Sequence, residues 1–219
     1  MMRKVTAIQG EIVEPQGQGL QVNLREQLAV IAPPSVLSAF VSGRGFEIRG
    51  VVDGWADVPA LVRRLRCGCR PLKIRIGLGI GQVSDEELRR STWAMRGEPF
   101  LRARAALREI KVVRAPVTFV QSGSAWLDDL ANCIWALVDA VQNDWTDKQW
   151  EAINAYERAN GYVKAAESLE ISFQGVQRRC RAARWNQVRR AEKMLTAIYE
   201  IPDRFTPEWA RAATSLPSG

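Results

Sequence analysis

The sequence predicts an α+β chain, a layered sheet domain followed by a smaller module made of helices alone. Three observations predict it. Apolar, β-branched runs recur at residues 4–13, 46–54, 73–81 and 115–121. Helical stripes separate them at 21–31, 57–66 and 97–110. From residue 147 to 185 the pattern is that of three short helices.

Taken in order, KVTAIQGEIV (4–13) reads as a first strand. Val22, Leu24, Leu28 and Ile31 then form a helical stripe that stops before Pro33-Pro34, because proline cannot continue a helix. FEIRGVVDG (46–54) is strand material, with Gly50 and Asp53-Gly54 marking bends or a turn. DVPALVRRLR (57–66) has a proline near its start and leucines at a helical interval. KIRIGLGIG (73–81) alternates apolar and small residues, as a buried strand does. Its glycine run, Gly77-Leu78-Gly79-Ile80-Gly81, lacks the Lys-Ser/Thr of a P-loop and the spacing of a dinucleotide fingerprint, so it reads as packed strand. GEPFLRARAALREI (97–110) is a second clear helix and APVTFVQ (115–121) a last strand. Arg102, Arg104 and Arg108 on that helix either contact phosphates or face water.

Residues 125–141 place Leu127, Leu130, Ile134, Leu137, Val138 and Val141 on one helical face. That face either packs on the sheet or, with Trp126 and Trp135, forms an interface between copies. Thr146 and Gln149 make a capping box, and Trp145 and Trp150 occupy the positions of a hydrophobic staple. This helix start sets a boundary near residue 143. The expected division is a sheet domain over 1–143, with 125–141 as its connecting helix, a helical domain over 144–200, and a tail over 201–219. Pro202, Pro207 and Pro217 mark the tail as a short helix with a frayed end.

The helical domain carries the most specific pattern. Its first helix ends at Asn160-Gly161, its second spans 162–169, and Glu170-Ile171 turn into a third that Ser172 caps. Ala165, Ala166, Leu169, Ile171 and Val176 fit two helices packed across a tight turn, the arrangement of a helix-turn-helix. The third helix, running to about Trp185, then presents Ser172, Phe173, Gln174, Gln177, Arg178 and Arg181 to base edges. Gln pairs with adenine and Arg with guanine through two hydrogen bonds each. Arg179, Arg184, Arg189 and Arg190 are placed for phosphates. Residues 172–190 hold six arginines and no carboxylate, and the partner expected is double-stranded DNA. Readers of this type bind as homodimers, so two copies are expected.

Composition narrows the alternatives. Lys+Arg number 31 against 24 Asp+Glu, a net charge of +7 that favours an anionic partner. Histidine is absent, which excludes Ser-His-Asp and Cys-His catalysis and His-ligated zinc. The four cysteines, including Cys67-Gly68-Cys69, match no zinc spacing, and neither a metal nor a cofactor is expected. The start MMRKVTAIQG lacks the apolar core of a signal peptide, and no run of about 18 apolar residues occurs. A cytoplasmic protein without membrane contact is expected.

Read together, IQGEIVEP (8–15), FEIRGVVDGW (46–55), KIRIGLGIGQVS (73–84), GEPFLRARAAL (97–107), WTDKQWEAI and KAAESLEIS with its basic helix resemble the SatD family of bacterial proteins. The resemblance spans most of residues 4–190. It implies a ferredoxin-like domain similar to those of nucleotidyl cyclases and GGDEF proteins, joined to a helix-turn-helix. In such domains two carboxylates hold metals over a nucleotide triphosphate. Glu11 takes the first position. At the second, Gly50 is followed by Val51 and Val52, and Asp53 reaches it only after a register shift. The resemblance therefore implies a transcriptional regulator with a degenerate sensory or dimerisation domain, not an enzyme, with Glu11 and Asp53 as possible ligands of a nucleotide effector. The alternatives are a metal-dependent nucleotide-binding or nucleotidyl-transfer enzyme, and a module resembling sigma-factor region 4.

Overall fold

A computed structural model of the chain describes residues 1–13, 24–29, 31, 33–42, 47–112 and 117–200. Its elements are β1 (Met2–Val13), α1 (Leu24–Ala29), β2 (Val36–Ser42), β3 (Glu47–Asp53), α2 (Val58–Gly68), β4 (Lys73–Ser84), α3 (Asp85–Leu88), α4 (Glu98–Glu109) and β5 (Thr118–Gln121). Helices α5 (Ala125–Asn143), α6 (Asp147–Ala159), α7 (Tyr162–Ser168), α8 (Phe173–Ala182) and α9 (Trp185–Ile198) follow. The chain is thus α+β, with mixed elements first and helices afterwards. Among the described residues no helix is long and apolar enough to cross a membrane.

The strands form one sheet in the order β2-β3-β1-β4-β5. β1 is central, antiparallel to β3 (Ala7 opposite Val51) and to β4 (Ala7 opposite Gly79). β5 lies parallel to β4, so their connection has to cross over, and α4 makes it. The period of two divides the apolar residues between the sheet's faces. Ile8, Ile12, Ile48, Val52, Ile74, Ile76 and Leu78 join a cluster with Val58, Leu61, Val62 and Leu65 of α2 and with Leu127, Ala131 and Trp135 of α5. Val5, Ala7, Val51 and Val83 meet Met95, Phe100 and Ala103 on the other face.

The glycine run of β4 belongs to that second face. A Cβ on Gly79 would fall on the Pro99 carbonyl oxygen and the Ala103 amide; one on Gly81 would stand 2.9 Å from Pro99 Cδ. Glycine at alternate positions lets the α4 backbone lie directly on the strand. Gly50, read above as a bend or turn, sits within β3 instead, where the Phe40 ring occupies the space of its missing side chain.

One expectation is corrected. The alternation of four strands and three helices omits β2, which follows Pro33-Pro34 directly and pairs with β3 in an irregular register. The stripe at 21–31 is helical over Leu24–Ala29, its first three residues lying outside the described set, as do 115–116 and the tail 201–219.

α5 does more than cover the sheet. β5 is an edge strand, whose outer amides would otherwise lack partners. Asp139 accepts from the Thr118 amide, Asn132 Oδ1 from the Val120 amide at 2.8 Å, and Asp128 from the Ser122 amide at 2.8 Å. Asn132 Nδ2 also donates to the Val120 carbonyl at 3.0 Å. A row of polar side chains on the helix thus takes the place of a sixth strand. On the α5 face named above, Leu127 and Val138 are buried, but Leu130 and Leu137 are 44% and 67% exposed. The buried stripe runs instead through Leu127, Ala131, Trp135, Val138 and Gln142.

Two buried arginines of α2 tie it to other helices, Arg63 to those beyond residue 143 and Arg66 to α5. Arg63 pairs with Glu192 at 2.8 Å and Glu157 at 3.2 Å, and its guanidinium lies over the Trp185 ring. Arg66 pairs with Asp139 at 2.6 Å and donates to Thr118 Oγ1 at 2.8 Å. Burial pushes the Asp139 and Glu192 carboxyls upward from their ordinary range, opposed by Arg66 and Arg63 respectively. The apolar cluster continues across residue 143 through Trp145, Trp150, Val176, Trp185 and Leu195.

Candidate nucleic-acid interface

The helical region is organised by its caps. Thr146 and Gln149 exchange both bonds of a capping box at the start of α6. Trp145 meets Trp150 edge to face at 4.7 Å, and its indole donates to the Ala183 carbonyl at 2.8 Å. Asn160, in the left-handed conformation, ends α6. A four-residue turn, Leu169 to Ser172, joins α7 to α8, with Glu170 at φ 53°. Ser172 Oγ accepts from the Gly175 amide at 3.1 Å. Ala165, Ala166, Val176, Cys180 and Ala183 are buried, and Leu169 and Ile171 are packed against them, half-buried.

The third helix is shorter than the sequence implies. α8 ends at Ala182, Arg184 turns left-handed at φ 52°, and α9 begins at the buried Trp185. The physical reason is that Trp185 has to enter the cluster of Trp145, 6.2 Å away, and a continuous helix would not aim it there. Arg189 and Arg190 therefore stand on α9 and not on an extension of α8.

The predicted contact residues separate into two groups. Gln174, Gln177, Arg178 and Arg181 are exposed on α8, with Arg184 and Arg190 exposed beside them. Among the described residues Arg178, Arg181, Arg184 and Arg190 are not ion-paired. α7, α8 and α9 converge around a hollow of about 460 Å³, lined by Tyr162, Gln174, Gln177, Arg178, Arg181 and Asn186, where the Trp185 indole nitrogen lies buried without a hydrogen-bond partner. The second group builds the corner itself. The Ser172 hydroxyl is engaged as the cap, and Phe173 packs edge-on against Tyr162 at 5.7 Å. Arg189 is half-buried and donates to Tyr156 Oη at 3.4 Å, while Arg179 pairs with Glu151 of α6 at 3.2 Å. The carboxylate that the 172–190 segment lacks is supplied from another helix, a pairing that only the tertiary structure reveals.

The sheet end does not bring its two predicted carboxylates together. Asp53 lies opposite Val5 and Glu11 opposite Glu47, so six strand positions, about 20 Å, separate them. Asp53 accepts two bonds from Arg3, each 3.0 Å. Glu11 accepts from Arg75 at 3.3 Å. The register instead sets Glu47 beside Glu11, a neighbour that composition alone does not disclose. Two carboxylates, one already held by an arginine, do not fit a two-metal site. Among the described residues no three Cys, Asp or Glu side chains gather in a metal-binding group. Arg102 is committed to the Ile80 carbonyl at 2.6 Å and to Glu98 at 2.7 Å, whereas Arg104 and Arg108 are exposed.

No family model matches the chain, and no curated protein matches it.

Proposed function

We propose that this chain is a sequence-specific DNA-binding protein, a transcriptional regulator in which α7, the four-residue turn and α8 act as a helix-turn-helix. α8 enters the major groove, Gln174, Gln177 and Arg178 read base edges, and Arg181, Arg184 and Arg190 meet phosphates. The observation that carries the reading is a set of four arginines with no carboxylate partner among the described residues, beside exposed glutamines on one helical corner. Unpaired cations gathered on one surface repel each other until a polyanion arrives. In the same reading the sheet half is a ferredoxin-like, degenerate cyclase domain of SatD type that senses or dimerises. The antiparallel order β2-β3-β1-β4 with helices inserted after β1 and β3 supports that part.

Selection of bound fragments from random duplex DNA at near-physiological salt tests the proposal. A preferred site should emerge, and Gln177→Ala or Arg178→Ala should weaken it by roughly 1–3 kcal/mol while blurring base choice. Equal losses on every duplex would remove base reading. Turnover of ATP or GTP with magnesium, lost on Glu11→Ala, would favour the enzymatic alternative.

A further inference from the structure

We infer that the outward face of α5 pairs, antiparallel, with the same face of a second copy of this chain, with Cys133 beside the two-fold axis. The starting point is that α5 is apolar on two sides. Its inner stripe is covered by the sheet and α9. Its outer stripe is Trp126, Leu130, Cys133, Leu137 and Ala140, spaced four, three, four and three residues apart, with Ala136 alongside. Leu130, Cys133, Leu137 and Ala140 are exposed, Leu137 by 67%. The spacing of this outer stripe is that of a coiled-coil seam.

Two features select a second copy as the occupant. Turning the stripe about Cys133 sets Trp126 against Ala140 and Leu130 against Ala136, one residue from Leu137, so large meets small at the ends and the leucines adjoin between. Charge selects the direction. α5 contains no lysine or arginine, and Asp129 and Asp144 flank the stripe. A parallel pair would set each of these acids beside its own copy, whereas the antiparallel pair holds them about 10 Å or more apart along the axis. The same lack of cations disfavours nucleic acid or an anionic lipid surface. Area sets the strength: a single helix pair falls short of the roughly 800 Å² per partner of a stable interface, so the pairing is a weak one. Trp135, offered above as an interface residue, is fully buried and takes no part.

The inference stands apart from DNA binding, since α8 and the outer face of α5 share no residue. Its test uses the full chain at micromolar concentration, by sedimentation and by oxidation of cysteines to disulfides. Cys69 and Cys180 are buried and Cys67 half-buried, which leaves Cys133 as the exposed thiol. A dimer linked through Cys133 is expected, and it should vanish in Cys133→Ala. Leu137→Lys should weaken self-association by roughly tenfold or more while the far-ultraviolet spectrum is unchanged. In the Cys133→Ala background, Leu130→Cys chains should link to Leu137→Cys chains but not to themselves. Self-linking of Leu130→Cys would overturn the antiparallel arrangement. A monomer at all concentrations would overturn the pairing, as would a dimer that forms only after residues 201–219 are removed, which would identify the tail as the cover. Should Leu137→Lys fail to fold, the wild-type and Leu130→Cys experiments still decide.

Discussion

Removal of Arg184 and Arg190 together should lower the salt dependence of DNA binding by an amount that the structure sets. Each cation that displaces counterions from B-DNA contributes about 0.9 to the slope of log affinity against log salt. Among the described residues Arg178, Arg181, Arg184 and Arg190 have no carboxylate partner, and of these Arg178 is the proposed base reader. Three phosphate contacts give a slope near −2.7, or about a 40-fold loss of affinity between 50 and 200 mM salt. In Arg184→Ala/Arg190→Ala the slope should fall to about −0.9, and the same salt interval should then cost about 3.5-fold. Arg189, turned against Tyr156, and Arg179, already paired with Glu151, supply the contrast. Alanine at Arg189 should leave the slope nearly unchanged, which reverses the role that sequence alone assigns to it. Fluorescence anisotropy with a labelled duplex across a salt series measures all three. If Arg189→Ala lowers the slope as much as Arg184→Ala does, the division between committed and free arginines is wrong.

Further outcomes follow from packing and protonation. Gly79→Ala should cost about 3 kcal/mol, because its Cβ falls on α4 backbone that cannot swing away; Gly161→Ala, with open space around it, is the control in urea denaturation. Asn132→Ala leaves both polar groups of Val120 unpartnered at the sheet edge and should cost about 1–3 kcal/mol, with faster amide exchange confined to β5. Burial pushes the Cys69 thiol up to about 12 and the Cys180 thiol up to about 11 from an ordinary 9.0. Above about pH 9 the unfolded chain therefore gives up protons that the folded chain retains. Stability, full below that pH, should fall as pH rises, by up to about 1.4 kcal/mol per pH unit for each thiol. Cys69→Ala/Cys180→Ala should flatten that decline between pH 9 and 11, and an equally steep decline in the variant would refute the assignment.

Much of this architecture was legible in the residues because local preference and burial agree. β1, β3 and β4 are apolar, β-branched runs buried over most of their length, the Thr146 capping box fixes the start of α6, and Ser172 caps α8 as its position implies. β2 escaped notice because it is a short edge strand with serines within it, and its pairing comes from β3 rather than from its own pattern. The end of α8 escaped because a left-handed arginine carries no sequence mark; it is forced by Trp185 seeking Trp145. α5 misled for a different reason. When both sides of a helix are apolar, periodicity cannot say which side faces in. The answer lay in Asp128, Asn132 and Asp139, polar residues whose partners are amides of a strand earlier in the chain. Of the DNA-facing candidates, Gln174, Gln177, Arg178, Arg181, Arg184 and Arg190 are exposed, while Ser172 and Phe173, also exposed, are engaged as the α8 cap and against Tyr162, and Arg189 is half-buried against Tyr156.

The three glycines of β4 have a consequence for what the sheet half can accommodate. With main chain resting on main chain, there is no cushion of side groups between helix and strand that a small molecule could push apart. The seam between α4 and β4 is thereby closed to a guest molecule.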